Sequence, residues 1–232
     1  MKRKIVFLTG AGVSAESGIS TFRDADGLWE KYPVMQVCSV NGFRADPALV
    51  HRFYNERRRQ LLEVSPNSAH KAIAALQDRY DVTVVTQNVD DLHERGGMDP
   101  ARVIHLHGEL MKVRSLTHPD RLFTLAPPDL DTTPLTRIGG DPVRPHIVFF
   151  QEPVPMLEKG AEAVEQADML VVIGTSLAVY PAAGLIHYAR SGVPVVYIDP
   201  HPAQVPHGVT VLPLRATEGM ERLSALLPPP VV

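Results

Sequence analysis

Five apolar runs of strand length punctuate this sequence: Lys4–Leu8, Val82–Thr86, Val103–His105, Met169–Ile173 and Val195–Ile198. Each is continuous rather than alternating, the pattern of parallel strands buried on both faces. Helical patterns lie between several of them, notably Asn67–Gln77, Pro155–Gln166 and Pro181–Arg190. Strands alternating with helices predict an α/β fold, a Rossmann-like doubly wound parallel sheet. Two segments break the rhythm. Lys31–Val64 reads as a loop and then a helix from about Pro47 to Leu62, and Lys112–Arg144 is rich in Pro, Asp and Thr with little periodicity. The second reads as an irregular insert. The expected organisation is one domain over 1–232. Its large part is 1–30, 65–111 and 145–232, and a smaller inserted part is 31–64 and 112–144.

A chain of 232 residues is long enough for a full core. Its formal charge of −3 gives no attraction to nucleic acid or an anionic membrane. Cys38 is the only cysteine, so no internal disulfide and no zinc site built mainly from thiolates is expected. Met1 leads directly into a core strand, which leaves no room for a signal peptide, and no apolar run is long enough to span a bilayer. The expectation is a cytoplasmic, monomeric protein.

Directly after the first run, Gly10-Ala11-Gly12-Val13-Ser14-Ala15 fits G-x-G-x-x-G/A. Glycines there allow a tight turn and close approach of phosphate oxygens to the backbone. A dinucleotide-binding dehydrogenase would follow with a second strand ending in Asp or Glu about 20 residues on. Here that region is "STFRDADGLWEKYPVMQ", which is no strand. The motif thus supports a dinucleotide phosphate site and argues against hydride transfer. Gly174-Thr175-Ser176 follows another strand and is either a second phosphate or ribose site or a simple strand-to-helix turn. Asp199 ends "VVYID", as a ribose acceptor or as a turn residue before Pro200.

"VVTQNVDDLHERGG" sets Gln87, Asn88 and Asp90 just past a buried strand, where three groups can read an amide or ribose hydroxyls. Asp91 and His93 are assigned to the following turn or helix surface. In "VIHLHGEL" strand alternation puts His105 and His107 on one face. Suitable carboxylate or thiol ligands are not evident, so no metal is expected. His107, at a strand end before Gly108, is the general-base candidate.

Taken together, "GAGVSAESGISTFR", "TQNVDDLH", "HLHGEL", "VFFQE" and "GTSLAVYPAA" resemble the sirtuins, NAD-dependent protein-lysine deacylases, over residues 5 to about 200. The resemblance implies removal of acyl groups from protein lysines, yielding nicotinamide, O-acyl-ADP-ribose and free lysine. It implies NAD as cofactor, with Gly10, Ala11, Gly12 and Ala15 at the phosphate turn and Phe22 and Arg23 on a closing cofactor loop. Gln87 would hold ribose, Asn88 and Asp90 the nicotinamide carboxamide, and Gly174, Thr175 and Ser176 phosphate and ribose. Asp199 would face the adenosine ribose and Ala216 the adenine. His107 would be the catalytic base, with Asn88 beside it. Val148, Phe150 and Gln151 would pair with the substrate backbone. The alternatives are an ADP-ribosyltransferase or NAD glycohydrolase, or a non-catalytic NAD or ADP-ribose sensor.

In "HRFYNERRRQLL" Tyr54 and Arg57, at i and i+3, share a helix face. Arg offers a planar fork and Tyr a hydroxyl, a pair suited to a carboxylate. The Tyr-x-x-Arg pattern resembles the sirtuin subclass that removes succinyl, malonyl or glutaryl groups. Arg58 and Arg59 are read as a solvated basic face. The family's two C-x-x-C pairs are missing, so no zinc is expected, and Leu116, Leu122, Phe123, Leu125 and Leu130 are expected to hold the insert. Ser20 stands where proline is common, and Asp199 where asparagine is. Gln151 replaces a glycine and would narrow peptide access. Cys38 takes a small-residue position lining the acyl pocket, as an oxidisable thiol or an inert buried residue.

Overall fold

The computed structural model describes residues 2–20 and 32–231. Six parallel strands form the main sheet: β1 (Lys4–Thr9), β2 (Asp81–Thr86), β3 (Val103–His105), β8 (Met169–Ile173), β9 (Val195–Ile198) and β10 (Thr210–Leu212). Their spatial order is β10-β9-β8-β1-β2-β3, so the winding reverses between β1 and β8. The expected doubly wound sheet is present, and its five predicted strands are all there.

Continuous apolar strands follow from the double cover. On one face Ile5, Phe7, Val82, Val84, Val171 and Ile198 pack with Ala69 and Ile73 of the Ser68–Ala75 helix and Met220 and Leu223 of the Ala216–Leu223 helix. On the other face Val6, Leu8, Val85, Leu170, Val172 and Tyr197 meet Val164 of the Leu157–Glu165 helix and Leu185 and Ile186 of a 3-10 turn at Ala182–Tyr188. Alternate residues therefore enter opposite cores. Burying each large apolar side chain contributes roughly 1.5–3 kcal/mol. Pro181–Arg190, expected as an α-helix, is this tighter turn, with Gly184 N–H donating to Pro181 O at 2.9 Å.

The helix expected from about 47 to 62 runs Pro47–Glu63. Asp46 caps it by accepting from Leu49 N–H at 2.8 Å, and Pro47 fits the first turn, where a missing N–H costs nothing. The helix stops at Val64, in extended conformation, just before Ser65-Pro66.

Lys112–Arg144 is not irregular. β4 (Gly108–Ser115), β5 (Leu122–Thr124), β6 (Arg137–Ile138) and β7 (Asp141–Ile147) form an antiparallel sheet in the order β5-β4-β7-β6. Two of its strands have only two or three residues, β4 carries a register shift between Gly108 and Val113, and β7 contains Pro142 and Pro145. Those features erase the period-2 signal. Its small core is Val113, Leu125, Leu130 and Val143 with Phe123 alongside, whereas Leu116 and Leu122 are exposed.

A polar knot joins this sheet to the long helix. Arg58, expected on a solvated face, is fully buried. Its Nε donates to Leu110 O at 2.9 Å and its Nη1 to Asn55 Oδ1 at 2.7 Å and Leu130 O at 3.3 Å. Asn55 Oδ1 also accepts from Thr132 N–H at 3.0 Å, and Thr132 Oγ1 lies 2.8 Å from His51 Nδ1. Burial lowers the Arg58 pKa to about 10, which leaves the group charged at neutral pH. Arg59 is exposed and pairs with Asp131. Among the described residues no group of three or more His, Cys, Asp or Glu is placed to hold a metal ion. Leu110 and Ile147 pack with Val50 and Phe53, and these apolar contacts together with the Arg58 knot join the module to the long helix. Overnight treatment with EDTA is expected to leave both activity and Tm unchanged; loss of either, restored by zinc, would show that a metal holds the module.

Candidate functional site

Open parallel sheets bind ligands beyond the carboxyl ends of the strands where the winding reverses. In this chain the reversal lies between β1 and β8, and the two turns that follow these strands carry Gly10–Ala15 and Gly174–Ser176. They touch backbone to backbone. Gly12 N–H donates to Gly174 O at 2.7 Å, and a Cβ on Gly12 would lie 2.6 Å from Gly174 Cα. Gly174 has φ +64 and its own Cβ would meet Val13 N at 2.3 Å, so both positions require glycine.

After β2 come Gln87, Asn88 and Asp90. Gln87 Nε2 donates to Thr175 Oγ1 at 3.0 Å, which ties this loop to the one after β8. Asn88 Nδ2 donates to Gly10 O at 3.1 Å and Ser14 Oγ at 3.2 Å. Ser14 Oγ donates to Asp90 Oδ2 at 3.0 Å, and Asp90 Oδ1 accepts from Leu92 N–H. Burial raises the Asp90 pKa, against the Leu92 and Ser14 hydrogen bonds that lower it.

Beneath these residues lies a buried polar layer absent from the sequence reading. Thr9 Oγ1 donates to Thr86 Oγ1 at 2.8 Å and is 3.1 Å from His93 Nε2; His70 Nε2 is 3.4 Å from Ser14 Oγ. The His70 and His93 rings meet edge to face, with centroids 4.9 Å apart. Burial lowers the His70 pKa to about 4 and the His93 pKa well below its usual 6.5. His93, expected on a helix surface, is 1% exposed. A signal was available: Ser14 sits inside the glycine motif, and Asn67, which caps the next helix, precedes His70 by three residues.

His105 and His107 do not share a strand face, because β3 ends at His105 and His107 lies in the turn before β4. His107 Nδ1 is 3.0 Å from Gln87 O. A carbonyl only accepts, so Nδ1 carries the proton and Nε2 of the neutral ring holds the lone pair. Burial lowers the His107 pKa, and the bond to Gln87 O offsets this only in part.

His107 O accepts from Val148 N–H at 2.9 Å, which brings in the Val148–Gln151 ledge after β7. Phe149 is buried, while Phe150 is 41% exposed. Phe150 N–H donates to Cys38 O at 2.8 Å, and Val40 N–H to Phe150 O at 3.2 Å. Gln151 adopts φ +78, which costs a non-glycine residue about 1 kcal/mol, and its Oε1 accepts from Asn41 N–H at 3.3 Å. Cys38 Sγ is 3.2 Å from the Tyr54 hydroxyl, and both are buried. Burial raises the Cys38 pKa to about 11, against the Tyr54 bond and the Arg57 charge, so the thiol is protonated at neutral pH. Arg57 lies over the Phe53 ring, 5.8 Å from its centroid.

Asp199 is buried and its Oδ1 accepts from His201 N–H at 2.9 Å, as a turn residue does. Ala216 is buried at the start of its helix, next to Thr217, which donates through its N–H and hydroxyl to Glu16 at 3.0 and 2.8 Å. Phe22 and Arg23 lie outside the described residues.

A model of the Sir2 family matches residues 10–181. The chain is 51% identical to an NAD-dependent protein deacylase of Bacteroides thetaiotaomicron, covering 98% of this chain and 99% of that protein. It is 48% identical to one of Helicobacter pylori, over 95% and 96% of the two chains. A solved Sir2 homologue–NAD complex superposes with a TM-score of 0.83 at 37% identity, covering 97% of this chain and 89% of the other. A Sir2–p53 peptide–NAD+ complex gives 0.80 at 31% identity, covering 97% and 93%.

Proposed function

The chain belongs to the Sir2 family, and on that premise we propose that it is an NAD-dependent protein-lysine deacylase with a preference for acidic acyl groups. The observation that carries this reading is the double role of Gln87. Its carbonyl accepts a hydrogen bond from His107 Nδ1 at 3.0 Å and its side chain reaches Thr175, so the base candidate and both nucleotide loops form one connected unit.

The donor set fits NAD: close-packed glycine turns at the reversal of winding, then amide, carboxyl and hydroxyl groups after β2 and β8. Bound NAD supplies a ribose carbon open to attack by the acyl oxygen, with nicotinamide as leaving group. Gly10, Ala11, Gly12 and Ala15 approach the phosphates, with Gly174, Thr175 and Ser176 opposite. Asn88 and Asp90 orient the carboxamide, Gln87 the ribose, and Asp199 and Ala216 the adenosine. His107 Nε2 accepts a proton from a ribose hydroxyl, which makes that oxygen a nucleophile. By the family resemblance, Phe22 and Arg23, outside the described residues, would help to exclude water from the reacting centre. Val148, Phe150 and Gln151 pair with the backbone of a protein bearing acylated lysine, and the side chain at Gln151 narrows the approach.

Tyr54, Arg57 and Cys38 form the acyl pocket in this reading. The contact between Cys38 Sγ and the Tyr54 hydroxyl supports it, because it fixes a phenol one helical turn from Arg57. A charge-assisted bond from Arg57 to an acyl carboxylate is worth about 1.5–3 kcal/mol, or roughly 10- to 100-fold. Arg57→Met is expected to lower kcat/KM for a succinyl-lysine peptide by that factor and to change the acetyl-lysine value by less than about threefold. A wild type without a succinyl preference, or a preference that survives the substitution, would remove the pocket assignment and leave plain deacetylation.

A further inference from the structure

Two imidazoles hold successive carbonyls of the loop after β2. His107 Nδ1 is 3.0 Å from Gln87 O, and His105 Nδ1 is 3.1 Å from Asn88 O. The rings differ on their far sides. His105 Nε2 lies 2.7 Å from Glu94 Oε1, so both of its nitrogens face acceptors. Only the doubly protonated ring can donate to both. A neutral His105 must turn a lone pair towards either the Asn88 carbonyl or the Glu94 carboxylate.

We infer that Glu94 and His105 are a positioning pair, which holds the Asn88 carbonyl and thereby sets the Gln87 and Asn88 side chains for the nucleotide, and which lets go when His105 loses its second proton. The inference rests on the reading of Gln87 and Asn88 as nucleotide-binding residues. Its geometry is local: Glu94 and His105 are 11 positions apart, with side-chain exposures of 20% and 9%.

The surrounding charges agree with a cationic His105. Burial opposes the charge, but the Glu94 hydrogen bond and charge, the Asn88 carbonyl and the Glu109 carboxylate outweigh it and raise the pKa. Asp90 also faces His105, and the positive ring lowers the Asp90 pKa against the burial that raises it. His93 and His146, the imidazoles that interact electrostatically with His105, are both held towards neutrality by burial, so neither competes for the proton.

The sign of the pH dependence follows. With its pKa raised above the ordinary 6.5, His105 clamps the loop below that raised value and releases it as pH climbs through it. In Glu94→Gln the amide can donate to Nε2 of a neutral ring while Nδ1–H still serves Asn88 O. That variant should keep the clamp and lose its pH dependence. Glu94→Ala leaves the ring without a partner on its far side.

The test has two arms on the full chain. In the first, imidazole 15N resonances are followed with pH. At pH 6.5 His105 is expected to carry protons on both nitrogens in the wild type and predominantly one in Glu94→Gln. A singly protonated wild-type ring at that pH would overturn the inference. The second arm measures kcat/KM for NAD and KM for peptide across pH. Glu94→Ala is expected to lose about tenfold in the NAD value with little change for peptide, the effect of a sub-ångström displacement. Glu94→Gln should match the wild type near neutrality and lack its alkaline decline. Equal profiles for all three proteins would also overturn it. The nitrogen titration needs no turnover, so an inactive wild type would sink the proposed function while the imidazole result still decides this inference.

Discussion

Replacing His107 with alanine is expected to reduce acyl-lysine turnover by about 10²- to 10⁴-fold, the usual contribution of a positioned general base, while NAD still binds. Gln87 O fixes the His107 proton on Nδ1, which leaves Nε2 as the acceptor. Burial lowers the pKa below 6.5, so the ring is already unprotonated at neutral pH and available as a base. The acid limb set by His107 should therefore appear as pH drops below 6.5, through the depressed value. Calorimetry with NAD and product analysis by mass spectrometry check both halves. His107→Gln, which retains a donor for the Gln87 carbonyl, separates loss of the base from loss of the loop contact. A variant keeping more than about a tenth of the wild-type rate would exclude His107 from that role.

Acidification is expected to destabilise the fold sharply. Burial, with the Arg58 charge, takes the His51 pKa down to about 4, and burial takes His70 to about 4 against the pull of Glu94. Burial and its histidine neighbours also hold His93 well below its usual value. In the unfolded chain these rings titrate near 6.5, so between 6.5 and 4 the unfolded state binds more protons and stability rises with pH. Their contribution is complete above 6.5 and is lost as pH falls through that window. A pKa unit is worth about 1.4 kcal/mol, so His51 and His70 each represent on the order of 3 kcal/mol, a large share of an ordinary domain's 5–15 kcal/mol or so. Asp90 and His105, whose pKa values are raised, work in the opposite direction, but His107 and His146, lowered by burial, add to the other three imidazoles. Denaturant midpoints measured from neutral pH down to 4 should change little near neutrality and fall steeply below 6.5. His51→Gln should flatten part of that slope. A midpoint that holds steady or rises on acidification would contradict the placement of these rings.

Most of the nucleotide half of the fold was legible, because strands covered on both faces write themselves as continuous apolar runs, as Lys4–Leu8 and Met169–Ile173 do. The positions of Gln87, Asn88 and Thr175 could be read for a related reason: a polar group straight after such a run sits beyond the carboxyl end of its strand. The small antiparallel module could not. Its strands are short, bulged and interrupted by Pro142 and Pro145, so no period survives. Arg58 was misread because helix spacing alone cannot tell a solvated arginine from one whose guanidinium is taken up by the carbonyls of Leu110 and Leu130. His93 and His70 were missed because their partners, Thr9 and Ser14, are more than 50 residues away in sequence.

The central claim, that this cleft spends NAD to remove acyl groups from lysine, is tested most directly by product identity. The protein is incubated with NAD and a panel of acetyl-, malonyl-, succinyl- and glutaryl-lysine peptides, and all products are read by mass spectrometry. The account predicts equal amounts of nicotinamide, deacylated peptide and O-acyl-ADP-ribose, formed only when acylated peptide is present and in greatest yield from the acidic acyl groups. Nicotinamide released without acylated peptide, or ADP-ribose attached to protein with no deacylation, would contradict it.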